Sequence, residues 1–274
     1  MEPVPETVAA PLEPASDRPG LSVVVVAPLH AIASAAPTDE GEMRRLRAQY
    51  YGMISEVDFQ LGRVFEAIDA RGEWHDTLIV ITSDHGEQLG DHGLIEKLGF
   101  FPQSYHVIGL WRDPRRKSGV RNVQHFTENV DLLPTLCDAL GINSPAQCDG
   151  VSLAPLFAGT EVPWRTHAHY EWDYRTYWIN DKTARDTVDW NLSRQNLAVS
   201  LGEQTAYVQF GDGTFLCFDL AADPTWRTEC EDVSRVLAVA QEQLVWRQEH
   251  LERAMTDMLL RTNRPGRWPA ALVQ

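Results

Sequence analysis

Apolar and polar positions alternate along this chain in a few well-marked patterns separated by turn-forming residues. Over residues 40–71, Met43, Leu46, Tyr50, Ile54, Val57, Leu61, Val64, Phe65 and Ile68 recur mostly at steps of three and four. That spacing gathers them on one face of a helix. Asp39 with Glu42 predicts a capping-box-like start, and Gly72 a stop. Thr77 to Thr82 is continuously apolar and β-branched. With no polar alternation, it reads as a strand buried on both faces, as at the centre of a parallel sheet. Val107 to Trp111 is the next strand expected, and Leu21 to Val26, ended by Pro28, is an earlier one.

Residues 131–140 read as a short helix. Asp131 stands at its N-cap, Pro134 in its first turn, and Gly141 ends it. From about 164 the pattern changes to aromatic, alternating stretches at 166–172, 205–210 and 214–218, with the turn Gly211-Asp212-Gly213 between the last two. These predict a small antiparallel sheet containing a hairpin. Residues 233–260 predict a closing helix through Val236, Val239, Leu244, Trp246, Leu251 and Met255, and the tail after Arg261 an extended arm. The pattern as a whole predicts an α/β fold with a C-terminal antiparallel sheet plus helix. The expected divisions are a leader at 1–38, an α/β core at 39–163 and a small α+β subdomain at 164–274.

Composition narrows the partners. The chain has 274 residues, a net charge of −15 and 43% hydrophobic content. A chain this acidic repels phosphate backbones, which argues against nucleic acid and anionic membrane surfaces. The first twenty residues are acidic and rich in Pro and Ala, without the basic start and apolar centre of a secretory signal, so a cytoplasmic location is expected. No stretch approaches the roughly 20 apolar residues of a membrane span. Arg112, Arg115, Arg116 and Lys117 form the one basic cluster, in a solvated loop context. Cys137, Cys148, Cys217 and Cys230 have neither CxxC nor zinc-finger spacing, and Cys137 and Cys217, in apolar surroundings, read as buried thiols.

Candidate chemistry lies in TLIVITSDHGEQLGDHGLIEK, residues 77–97. Asp84 and His85 fall where the apolar strand ends, the place where ligands bind in open α/β sheets. A carboxylate and a neutral imidazole are both good ligands for a divalent cation, and Gly86 allows a sharp turn beside it. For the tripeptide alone, a plain turn, with Asp84 capping and His85 on the surface, is the better account. His92 lies seven residues after His85, placed either to orient the site or to pack. His167, His169 and Glu171 alternate along an expected strand and share a face, as structural or substrate-side contacts.

The longer string resembles the sulfatase family of the alkaline phosphatase superfamily. There an apolar strand leads into Ser/Thr-Asp-His/Asn-Gly-Glu, then Leu-Gly-Asp-His, then a Lys. Tyr50 to Arg63 resembles the family's Tyr…Asp-x-x-x-Gly-Arg helix, 127–141 its Asp-x-x-Pro-Thr helix, and 149–156 its Asp-Gly-x-Ser-Leu segment. His169-Tyr-Glu-Trp-Asp173 is most similar to the phosphonate monoester hydrolase and arylsulfatase branch.

The resemblance implies an alkaline-phosphatase-like sandwich, incomplete here, and a metal-dependent hydrolase of small sulfate, phosphate or phosphonate esters. It implies one divalent cation (Ca, Mg, Mn or Zn) on Asp84 and His85. Lys97 is implied at the ester oxygens, stabilising charge as the leaving oxygen departs. His30 is implied on the leaving-group side, although Ala31 and Ile32 stand where the family has prolines. Ile108-Gly109-Leu110 departs likewise from the usual Ile-Pro-Leu. His92 and His169 are candidate second-layer or substrate-side groups. None of the four cysteines begins the family's Cys/Ser-x-Pro/Ala-x-Arg nucleophile motif, and the early acidic metal ligands have no counterpart. The expectation is therefore a C-terminal portion of such a hydrolase. Its cation would be weakly held, because such sites typically use about three or more protein ligands. The isolated chain is expected to turn over little, paired with a missing N-terminal half or assembled as a homo-oligomer. The alternative is a non-catalytic, truncated paralogue acting in binding.

Overall fold

The structure, a computed structural model, describes residues 35–97, 99–116, 122–145, 147–173, 196–250, 259–260 and 272–273. The described residues fall into two compact units, one up to Arg116 and one from residue 122 onward.

In the first unit, helix α1 runs from Glu40 to Ala70. Its start follows the sequence: the Asp39 carboxylate accepts the Glu42 backbone N–H at 2.7 Å. Its end follows too, with Gly72 at φ +66°, a conformation that glycine adopts without strain. The apolar face behaves differently. Met43 is buried, but Ile54, Val57 and Val64 are at least half exposed. The first turns of α1 rest on the unit where Met43 lies against Gly90 and Arg47 donates to the Leu89 carbonyl at 3.0 Å, and near its end the Phe65 ring lies 5.7 Å from the Trp74 ring.

Strand β1, Ile79–Thr82, pairs with β2, Gly109–Arg112, in antiparallel register from Ile79 opposite Arg112 to Thr82 opposite Gly109. This corrects the expected central parallel strand: among the described residues β1 has this one antiparallel partner and is half-buried. An apolar β-branched run specifies a strand but not the direction of its neighbour, which depends on chain path. Between the strands, residues 83–97 fold back on themselves, and residues 99–101 lead into the short helix α2, Pro102–Tyr105. Leu94, Phe100 and Phe101 form their apolar centre.

In the second unit, a 3-10 turn at Asn129–Asp131 runs into α3, Leu132–Leu140, closed by Gly141 at φ +70°. A one-turn helix, α4, covers Ala154–Ala158. Four strands follow in antiparallel order: β3, Ala168–Asp173; β4, Asn196–Leu201; β5, Thr205–Phe210; and β6, Phe215–Asp219. The β5–β6 hairpin turns at the expected Gly-Asp-Gly. The sequence reading passed over β4, yet Leu197 to Ser200 is buried throughout. Helix α5, Val233–Glu249, packs on this sheet through Val239, beside Tyr207 and Cys217. Leu259–Leu260 pairs with Leu272–Val273. Among the described residues, no helix is long and apolar enough to cross a membrane.

Candidate functional site

The segment after β1 holds the residues that the sequence singles out. Asp84 is the last acidic group before the turn, and its side chain is 85% exposed. Its Oδ1 accepts the His85 backbone N–H at 2.9 Å, and its Oδ2 lies 3.5 Å from His85 Nε2. The His85 N–H bond holds the Asp84 carboxyl below its usual value, helped by the nearby Lys97 charge. The His85 Nδ1 sits 2.9 Å from the Gly86 carbonyl oxygen, and its Nε2 sits 3.3 Å from Lys97 Nζ. A carbonyl can only accept, so Nδ1 carries the hydrogen and Nε2 presents its lone pair to the lysine ammonium. Asp84, His85 and Lys97 are thus brought together, with His85 and Lys97 twelve positions apart in sequence but adjacent in space.

The loop that achieves this is strained. Leu89, His92 and Glu96 all have positive φ, at 51°, 54° and 62°. Such backbone in non-glycine residues costs about 1–3 kcal/mol each and persists only where the surroundings impose it. Here a set of polar bonds does so. The Glu87 carboxylate accepts the backbone N–H groups of Leu89 and Glu96, and the buried Gln88 side chain donates to Ser104 Oγ at 2.9 Å. Gly86 has a different role from the expected turn beside an ion. Its N–H donates to the Ser104 carbonyl at 2.8 Å, and a Cβ there would fall on the Gln103 carbonyl oxygen. His92 is buried, 4% exposed, and its ring stacks on Phe101 with centroids 3.6 Å apart. His30 lies outside the described residues.

The expected cation is corrected at this point. Among the described residues, no group of three or more His, Cys, Asp or Glu side chains is arranged to hold a metal ion. Asp84 and His85 form a pair only, and the His85 Nε2 that would bind an ion faces the Lys97 ammonium. The described residues do not fit the group.

The second unit holds a denser cluster that the sequence only half revealed. Asp131 is 0% exposed. Its carboxylate accepts the N–H of Glu128 at 2.9 Å, the N–H of Val151 at 2.8 Å, and a two-pronged contact from Arg165 at 2.6 and 2.8 Å. Thr135 donates to the Asp131 carbonyl and accepts the Leu153 N–H. The Asp-x-x-Pro-Thr stretch therefore grips the Asp-Gly-x-Ser-Leu stretch, and Gly150 fits because a Cβ would strike the Val130 carbonyl. Burial alone would lower the Arg165 pKa, but the Asp131 and Glu128 carboxylates raise it overall.

His169 sits beside this clamp. Its backbone N–H donates to Glu128 Oε1 at 2.7 Å, and its Nε2 lies 2.9 Å from Glu242 Oε1 on α5. Its ring stacks on Trp246 at 4.5 Å. Burial would lower its pKa, but the hydrogen bonds and charges of Glu128 and Glu242 raise it overall. His167, 6.2 Å away between ring centroids, is lowered by burial and by the His169 charge, against the pull of Glu242. Sequence reasoning missed Arg165 and Glu242, lone charges outside any motif, and Glu128, which lies in the 127–141 motif but meets His169 only through the fold. The only signal was that a buried aspartate needs a cation.

Comparison with known proteins gives these motifs a family context. The family model described as Sulfatase matches residues 6–142. The multifunctional alkaline phosphatase superfamily protein PehA of Trinickia caryophylli is 39% identical over 232 residues, which cover 82% of this chain and 45% of that protein. Arylsulfatase K of Xenopus laevis is 30% identical over 195 residues, covering 69% and 34%. This chain thus spans less than half the length of these curated relatives. Among solved structures, the phosphonate monoester hydrolase of Agrobacterium radiobacter superposes with a TM-score of 0.71 at 40% identity, covering 80% of this chain and 44% of that one. The expectation that the chain is only the C-terminal portion of such a hydrolase is overturned: the family model matches from residue 6, and the likeness takes in most of the chain.

Proposed function

The chain belongs to the sulfatase family, and from that premise we propose that it is a hydrolase of sulfate, phosphate or phosphonate esters whose 84–97 segment binds the anionic ester group. The observation that carries this reading is the Lys97 ammonium held 3.3 Å from His85 Nε2 at the end of β1. An ammonium fixed there attracts a tetrahedral oxyanion and stabilises charge developing on a departing oxygen. His85, its Nδ1 hydrogen committed to the Gly86 carbonyl, presents Nε2 as the atom that can take a proton. Asp84 orients His85 through the backbone N–H and adds a fixed negative charge. Ester choice is left to residues facing the leaving group, and the names of the relatives support aryl sulfates and phosphonate monoesters as first probes.

The test is a titration of the chain with phenyl sulfate and phenylphosphonate, followed by a turnover assay with the 4-nitrophenyl esters. Saturable binding, weakened roughly tenfold in Lys97→Ala, is expected, since one charge-assisted contact is worth about 1.4 kcal/mol or more. Turnover that falls with the same variant supports the hydrolase. Binding without turnover supports the second reading, a non-catalytic anion-binding protein, which the absence of a nucleophile motif at any cysteine favours. If neither occurs, the proposal fails.

The sandwich architecture and the division near residue 163 belong to the same proposal, and limited proteolysis would test the division. So does a cytoplasmic location, supported by four cysteines that are all free thiols. A homo-oligomer is likewise proposed, and sedimentation velocity would show it.

A further inference from the structure

Cys217 and Cys230 occupy facing positions in the second unit. Phe218 and Glu229 form an isolated antiparallel bridge, and the Cys230 N–H donates to the Cys217 carbonyl at 2.8 Å. On the other side of the bridge, the Asp219 N–H donates to the Thr228 carbonyl at 2.9 Å. This register sets Cys217 directly opposite Cys230. Residues paired so have Cα atoms about 5.5 Å apart, inside the roughly 4.4–6.8 Å that a disulfide spans. Both side chains pack in the cluster formed with Tyr207, Val236, Val239 and Ala240, and the Cys230 thiol donates to the Asp232 carbonyl at 3.9 Å. Both are reduced here, Cys217 buried and Cys230 partly exposed.

We propose that Cys217 and Cys230 are a redox modification site that closes to an intramolecular disulfide when a small-molecule disulfide of the glutathione type is the oxidant. The unequal exposure sets the order of events. Burial, then the neighbouring Cys230, pushes the Cys217 thiol up to about 12, so it is not the group that meets the oxidant. Cys230 loses its proton to water, and its sulfur attacks one sulfur of glutathione disulfide. That bond breaks, and one glutathione leaves and takes up a proton. Cys217 then gives up its proton, attacks the Cys230 sulfur and expels the second glutathione. Two electrons pass from the two cysteines to the oxidant, which leaves as two thiols.

The closed bond ties β6 to the segment just before Asp232, whose carboxylate caps α5 by accepting the Ser234 N–H at 2.9 Å. Oxidation therefore fastens the start of the helix that carries Glu242 to His169.

The experiment treats the whole chain with glutathione disulfide and counts thiols under denaturing conditions. The count is expected to fall from four to two, with one peptide pair linked through Cys217 and Cys230 and a mass lower by two hydrogens. Dithiothreitol should restore all four. Cys230→Ser should abolish closure, and Cys137→Ser should leave it intact. A count that stays at four, a mixed disulfide on Cys230 that never closes, or a link through Cys137 or Cys148 would each overturn the proposal. The wild-type peptide map decides the matter even if a variant folds poorly.

Discussion

Two aspartates that open similar-looking motifs, Asp84 and Asp131, end in opposite surroundings. Asp84 is 85% exposed, and its carboxylate caps one backbone N–H in a loop with three non-glycine residues at positive φ. Asp131 is fully buried and accepts from two backbone N–H groups and both ends of a guanidinium. The first region spends its polar bonds on holding a strained loop open toward solvent, and the second spends them on closing two segments over each other. A carboxylate with every lone pair satisfied inside a clamp has nothing left for a ligand. An exposed one beside an ammonium and an imidazole lone pair does. The contrast is what supports the proposal that the first region binds, while the second holds its two segments together.

The sharpest way to break that assignment is Asp131→Ala. It strands the buried Arg165 charge and two backbone donors, so a loss of about 3–5 kcal/mol is expected in urea unfolding. A loss below about 1 kcal/mol would show that the clamp is dispensable. Next come Gly150→Ala and Gly86→Ala, each of which drives a Cβ into a carbonyl oxygen. Each should cost about 1–3 kcal/mol. Gly150→Ala should act on stability alone, whereas Gly86→Ala should also weaken binding of phenyl sulfate by displacing His85.

Lys97→Ala should do the reverse of Asp131→Ala. Binding should weaken roughly tenfold, while the unfolding free energy stays within about 0.5 kcal/mol of the parent. Equal losses in both measurements would erase the distinction between the regions.

The smallest expected effect is on pH dependence. His169 holds its proton more tightly in the folded chain than in the unfolded one. The stability it adds is fully present below its unfolded value of about 6.5 and is lost as pH rises through the raised folded value. Burial opposes charge on Glu128 and Glu242, but contact with His169 lowers both overall. Their contribution is present above about 4.3 and is lost as pH falls through the lowered values. Stability should therefore decline on the alkaline side, and His169→Gln should flatten that limb. Unfolding midpoints measured from pH 5 to 9 would show it, and an unchanged slope would remove His169 from the clamp.

Much of this was legible from local pattern. The cap at Asp39, the stop at Gly72 and the Gly-Asp-Gly hairpin rest on interactions within a few residues, and each stands where the sequence placed it. What was illegible depended on distant partners. The apolar face of α1 has helical spacing, but spacing does not supply a surface to cover it, and Val57 and Val64 stand 59% and 54% exposed. The strand at 79–82 was recognisable, and its antiparallel neighbour was not. Asp84 and His85 have the chemistry of cation ligands, but the set is not completed among the described residues.

By itself, the sequence determined the family, the positions of the main helices and hairpin, and the grouping of Asp84, His85 and Lys97 in one motif. Those follow from residue type and short-range spacing, which survive any change of surroundings. Only the tertiary structure decided that Lys97 meets the His85 lone pair, that Asp131 is a clamp for Arg165, and that Cys217 faces Cys230. Each of these is a contact between residues twelve or more positions apart, and its energy depends on burial and geometry that no local pattern contains.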